Sequence, residues 1–257
     1  MSIPDWKRLD TRATGRVADV VLVVFHRGPL LENVPMSASQ YGAPSPESVG
    51  KVDVVAIEDP TWIAGWRSGS IRAVAERELS APELADLDAA DRCHLVRATI
   101  LDPPHLTYLQ AAWAIARWLV ARGARGVLDA YPIRFHSAAR VREQDVAAAI
   151  DVKREVSVIF ETEPEATRLG HVVHTRGMKK LARPDLIALV EPRIAASTGA
   201  MLYRLAASFA EGWMPVAGAQ PELGVTVSPL GAEDQLAQAL HLENDAWLVE
   251  VGDAKPN

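Results

Sequence analysis

One cysteine, Cys93, stands in 257 residues, so an internal disulfide and a cysteine-rich zinc site are both excluded. That usage fits a reducing compartment. Long apolar runs are also missing: no stretch approaches the ~18 residues of a membrane-spanning helix. The opening residues, MSIPDWKRLDTRATGR, lack the apolar core of a secretory leader. The expected location is the cytoplasm. Lys/Arg runs are absent too. With 27 basic against 33 acidic residues the formal charge is −6, which offers no phosphate-tracking surface and argues against nucleic acid as a partner. Neither G-x-x-x-x-G-K-[ST], G-x-G-x-x-G after a strand, G-x-S-x-G nor H-E-x-x-H occurs, so no phosphate loop, nucleophile elbow or zinc-helix motif is legible and no cofactor is expected.

What is present is core material. Apolar residues make up 49% of the chain, enough for a substantial buried interior. Residues 1–16 read as a tail with Trp6 against the body, and 17–257 as one α+β domain, with 17–150 and 151–257 as two candidate halves. Val17 to Phe25 and Val52 to Ile57 are β-branched runs of the strand kind. Between them, 27–50 carries four prolines and reads as a disordered segment or simple excursion, or else a lid. Ser80 opens a capping box with Glu83. His94 to Leu101 is a strand. His105 to Ala121 is a helix apolar on two sides and so largely buried, and Gly126 to Ala130 is a strand, which together make a crossover unit. A helix is expected over Gln144 to Ile150. Glu155 to Glu161 and His171 to Thr175 form a hairpin. Pro184 starts a short helix to Glu191, broken by Pro192 before a second helix from Arg193 to Glu211. Strands at Val225 to Ser228 and Trp247 to Val251 flank a helix over Ala232 to Leu240. The expected fold is α+β, with long buried helices on mixed or mainly antiparallel sheet, and its element order leaves room for two similar halves.

The densest polar stretch is Gly170 to Glu191. His171 and His174 are three apart, so on a strand they face opposite ways, and one metal would need both to converge with a carboxylate such as Glu161 or Glu163. No metal is assigned. Arg176, Lys179, Lys180 and Arg183 precede Pro184, where a helix N-terminus would favour an anion. Glu161, Glu163 and Glu165, at and within the acidic turn Thr162 to Arg168, suit either the lining of a site or a hairpin turn kept soluble by its charge. Trp62 and Trp66, four apart, suit either a protein-binding surface or two core anchors. Cys93 and His94 are neighbours and point apart on a strand, which opposes a nucleophile-base pair.

The stretch HTRGMKKLARPDL, followed by LYRLAASFAEG, resembles the C-terminal signature of domain-of-unknown-function family 4261, a group of bacterial proteins. Thr175, Gly177, Met178, Pro184 and Asp185 carry the resemblance, and DPPHLTYLQAAWAIARWLVARGARGVLDA is similar in kind to the family's helix and following strand. The resemblance covers roughly Cys93 to Gly212. It implies an α+β fold and a bacterial accessory role. Two functions follow as expectations. The first is a non-catalytic factor that binds another protein, of the accessory or immunity type in a toxin or secretion system. The second is an enzyme or small-ligand binder with a pocket at His171 or His174, Arg176 and Arg183. Self-association stays open.

Overall fold

The computed structural model describes residues 6–9, 14–28, 36–162, 167–168, 170–214, 216–220, 223–231, 233–240, 242 and 244–251. They form an α+β fold with two mostly antiparallel sheets. The chain divides into two compact units that meet in sequence at Ile150 and Asp151. Trp6 and Lys7 belong with the first unit, whereas Arg8, Leu9 and 14–16 belong with the second. Trp6 is buried and its indole donates to the Ala148 carbonyl at 2.8 Å. In the second unit, the Leu9 N–H donates to Glu211 and Arg16 pairs with Asp245 at 2.6 Å. Residues 1–5 and 10–13 lie outside the described residues.

The first unit is built on the strands β1 (Val17–His26), β2 (Asp53–Ile57), β3 (Arg92–Leu101), β4 (Gly126–Asp129) and β5 (Arg134–Ser137), in the order β2-β3-β1-β4-β5 with every pair antiparallel. Short helices α1 (Ala38–Tyr41) and α2 (Pro46–Val49) lie in the long excursion after β1, of which 29–35 fall outside the described residues. Helices α3 (Pro60–Gly65), α4 (Gly69–Glu78) and α5 (Ala81–Asp88) join β2 to β3. Helix α6 (Thr107–Ala121) carries the chain from β3 over β1 to β4, which is the expected crossover. Helix α7 (Ala138–Glu143) follows β5.

Register assigns the faces, because residues directly opposite in an antiparallel pair share one side. Ala18, Val20, Leu22 and Val24 face one way with Ile100, Ala98, Val96 and His94. All four β1 residues are fully buried. Helix α6 packs on β1 and β3 and is covered in turn by α1, α2 and α7. A helix between a sheet and a second layer needs apolar residues all round, which accounts for its two apolar sides. Its one buried amide, Gln110, accepts from the Trp6 N–H and donates to the Val146 carbonyl. On the opposite face Val23, Phe25, Cys93, Leu128 and Phe135 pack against Ile63 of α3, Ala75 of α4 and Leu87 of α5.

The second unit opens with helix α8 (Val152–Glu155). Its strands are β6 (Ser157–Phe160), β7 (His171–Arg176), β8 (Asp185–Val190), β9 (Gly218–Gln220), β10 (Val225–Leu230) and β11 (Ala246–Val251). Their order is β6-β7-β8-β11-β10-β9, with β8 and β11 parallel and the other pairs antiparallel. Helix α9 (Ala195–Ala210) packs on β6, β7 and β8. It comes close because position 199 is glycine: a Cβ there would lie 2.9 Å from Cζ of Phe160 and 3.4 Å from Cγ1 of Val158. Helix α10 (Gln235–Ala239) brings Leu236 into a core with Val172, Ile187, Leu240 and Ala246. The strand orders of the two units differ, so their similarity is one of element types and not of topology.

Three local expectations are corrected. Pro184 to Glu191 is not a helix: Asp185–Val190 is β8, at the middle of the six-stranded sheet, and the chain reaches it through a 3-10 turn, Met178–Leu181, and the left-handed Ala182. A strand paired on both sides and covered on both faces reads as an unbroken apolar run, which periodicity cannot tell from a short buried helix. Gln144 to Ile150 holds no helix; the regular structure lies earlier, in β5 and α7. Glu155 ends α8 and does not begin the strand. The break at Pro192 is present as a 3-10 turn, Pro192–Ile194, before α9.

Candidate functional site

The polar stretch singled out in the sequence spans β7, the 3-10 turn and β8. Because β8 is a strand, no helix N-terminus stands behind Lys179, Lys180 and Arg183, and the anion site expected there loses its physical basis. The basic side chains have other tasks. Lys180 is turned inward and its Nζ donates to Glu155 Oε2 at 2.8 Å, both side chains being fully buried. Arg154 Nε meets the other oxygen, Oε1, at 2.8 Å. Arg183 is buried with its guanidinium at the C-terminus of α9. Its Nε donates to the Phe209 carbonyl at 3.1 Å, Nη2 to Gly212 at 3.1 Å and Nη1 to Ala182 at 2.9 Å. A cation there satisfies the last carbonyls and opposes the negative end of the helix. Arg8 donates to the Leu181 carbonyl. Arg176 is half-buried with Nη2 3.4 Å from the Leu240 carbonyl, and Lys179 is half-buried.

The two histidines take opposite faces, as strand alternation requires. His171 is exposed and His174 fully buried. His174 lies directly across from Ile187, on the face covered by α10. Its Nδ1 is 3.2 Å from the Thr175 carbonyl and its Nε2 3.2 Å from Glu161 Oε2, so both ring nitrogens meet acceptors. Glu161 therefore joins His174, as the metal reading required, but His171 does not. Among the described residues no three His, Cys, Asp or Glu side chains are arranged to hold a metal ion. Glu163 and Glu165 lie outside the described residues.

Asp185 is the hub of this region. Its Oδ1 accepts from the Thr175 hydroxyl at 3.1 Å and the Met178 N–H at 3.4 Å, and its Oδ2 from the Asn244 amide at 2.9 Å. Thr175 Oγ1 in turn accepts from the Leu186 N–H at 2.8 Å. Burial pushes the Asp185 carboxyl up to about 6, against the opposing pull of those donors and of His174. The carboxylate fastens β7, the 3-10 turn and β8 together, which is a structural task. Of the residues that carry the family resemblance, Thr175 and Asp185 thus meet directly. Gly177 holds φ at +108° before the turn, a conformation open to glycine.

In the first unit Trp62 and Trp66 are half-buried, edge to face with ring centroids 5.6 Å apart, and pack against the core beneath α3 and α4. Cys93 faces that core and His94 the other side of the sheet. Burial pushes the Cys93 thiol up to about 12, which removes the thiolate that nucleophilic chemistry needs. One pair escaped the sequence reading: His94 Nδ1 lies 3.0 Å from His26 Nε2, both rings buried. Burial first, and then His94, lower the His26 imidazole to about 4. The two residues are 68 apart in the chain, and only the β1/β3 register joins them.

Among the described residues no helix is long and apolar enough to cross a membrane. No family model matches the chain, and comparison with curated proteins and with solved structures found none similar to it.

Proposed function

We propose that this chain is a non-catalytic protein-binding factor whose contact surface is the open half of the five-stranded sheet. The observation that carries the reading is where burial stops on the face occupied by Phe25 and Cys93. That end of the face lies under α3, α4 and α5. At the other end Val17 and Leu101, directly opposite across β1 and β3, are 43% and 66% exposed. Arg97, Thr99 and Asp53 beside them are exposed as well. Polar side chains of this half already meet one another: Asp19 accepts from Thr99 at 3.0 Å and from Tyr131, and Arg97 lies 3.6 Å from Asp53. A sheet face with exposed apolar side chains among polar ones suits a protein partner. The supporting counterpart lies in the second unit, where Lys180, Arg183, His174 and Asp185 are engaged within the fold.

A net charge of −6 favours a basic partner surface. An accessory or immunity-type factor acting in the cytoplasm beside a toxin or secretion apparatus is the role this fits, and it agrees with the accessory role implied by the resemblance to family 4261. The test is cross-linking and affinity capture from the native host with wild type, Leu101→Asp and Arg97→Glu. One specific protein, cross-linked to β1 or β3 and lost from both variants, is expected. Equal capture by all three would refute the placement on this face. A thermal shift produced by a divalent metal or a phosphorylated metabolite, and abolished by His174→Ala, would instead establish a ligand site in the second unit.

A further inference from the structure

We infer that β2 pairs edge to edge with β2 of a second copy of this chain, joining the two five-stranded sheets into one. Strand β2 is a sheet edge, and Asp53, Val54, Val55 and Ala56 are all exposed. The opposite edge, β5, is flanked by α4 and α7. Among the described residues nothing pairs with its outer side, and β2 has no proline, no lysine within the strand and no break in its register with β3; its one charge is Asp53. It carries two valines, Val54 and Val55, at 41% and 36% exposure, one on each face.

Charge selects the occupant and the register. A two-fold axis normal to a continuous antiparallel sheet keeps each side chain on its own face, so only residues of like parity can stand opposite one another. Three centrings then use the body of the strand. Centring on Ala56 sets Asp53 against Asp59, a like-charge pair. Centring on Val54 sets Asp53 against Val55 and Lys51 against Ile57, with no compensating contact. Centring on Val55 sets Lys51 against Asp59, the N-cap of α3, twice, Val54 against Ala56 twice, Asp53 against Ile57 and Val52 against Glu58 twice each, and Val55 against itself; it alone adds an opposite-charge contact, and no like charges meet. Lys51 is half exposed, and its helical contact with Glu47 is long at 3.8 Å, which leaves the ammonium available to a new partner. This pairing stands apart from partner binding at the open face. It would lay two such faces side by side.

The test is the full chain with Val55→Cys, oxidised with diamide and run on a non-reducing gel, alongside light scattering of the wild type. Cα atoms directly opposite in such a pair lie ~4.5–5.5 Å apart, within disulfide reach. The native Cys93 is buried and does not compete. We expect a wild-type dimer, a Val55→Cys disulfide dimer formed within minutes, much weaker cross-linking for Val54→Cys, and a monomer for Val55→Lys. A wild type that stays monomeric at high micromolar concentration overturns the inference, as does a dimer in which Val55→Cys fails to cross-link. Capture of a partner at the open face can succeed or fail without moving either result.

Discussion

Replacing Asp185 with asparagine probes the buried hub of the second unit through its linkage to pH. The carboxyl is raised from 3.8 to about 6 by burial. Between those two values the unfolded chain has released the proton while the native protein still holds it, so the native state binds more protons and stability falls as pH rises. At about 1.4 kcal/mol per unit, the accumulated cost above pH 6 is about 3 kcal/mol relative to conditions below pH 3.8. The substituted amide cannot ionise, so the stability of Asp185→Asn relative to wild type should improve by that amount from about pH 4 to about pH 7.5. The starting offset is unfavourable to the variant, because the new amide would oppose one of the donors from Thr175, Met178 or Asn244. Urea unfolding of both proteins across this range, followed by circular dichroism, gives the difference curve and cancels every group the two share. A curve that is flat, or that slopes the other way, would refute the assignment of a protonated, burial-raised carboxyl.

Further outcomes follow from the same contacts. Lys180→Met should cost about 3 kcal/mol in urea unfolding because it takes the buried cation from Glu155 Oε2 and leaves Arg154 on Oε1, and Lys180→Met with Glu155→Leu should recover part of the loss, since Arg154 then loses this contact. His26 should give the opposite pH sign to Asp185. Its imidazole is lowered to about 4 from 6.5, so the native state binds fewer protons in that window and about 3 kcal/mol is lost on acidification through it; His26→Gln removes this slope, and an NMR titration reads the imidazole directly. Gly199→Ala should fail to gain the ~1 kcal/mol of helix propensity because its Cβ meets Phe160, and the gain should appear in a Phe160→Ala background, as a double-mutant cycle of thermal unfolding would show.

Much of the fold was legible because it is written locally. Val17 to Phe25 and His94 to Leu101 alternate or run apolar in the β manner, and they are the two most extensively paired strands of the first unit. Helix α6 announced its burial through two apolar sides, and Pro192 its break through a missing N–H and a ring clash. The candidate site was less legible. The prediction that His171 and His174 diverge needed only strand geometry. The partners of Lys180 and Arg183 did not follow from their sequence neighbours, since Glu155 is 25 residues from Lys180, and Phe209 is 26 from Arg183. The helix expected at Pro184 failed for a related reason. A proline followed by an acid is a good helix start and also a tolerable strand entry, and what decided between them was the neighbouring strands, β7 and β11.

Composition and local pattern by themselves determined an α+β chain without disulfides, the positions of its long helices and most of its strands, and the absence of a recognised catalytic motif. Those properties depend on residue type and on spacings of a few residues, which elementary geometry turns into faces. Only the tertiary structure decided which cations are buried, that Asp185 binds three donors, that His26 meets His94, and that Val17 and Leu101 are exposed at one end of a sheet face whose other end lies under α3, α4 and α5. Each of these depends on segments far apart in sequence coming to lie side by side. Burial then sets the strength of every charge and hydrogen bond they share.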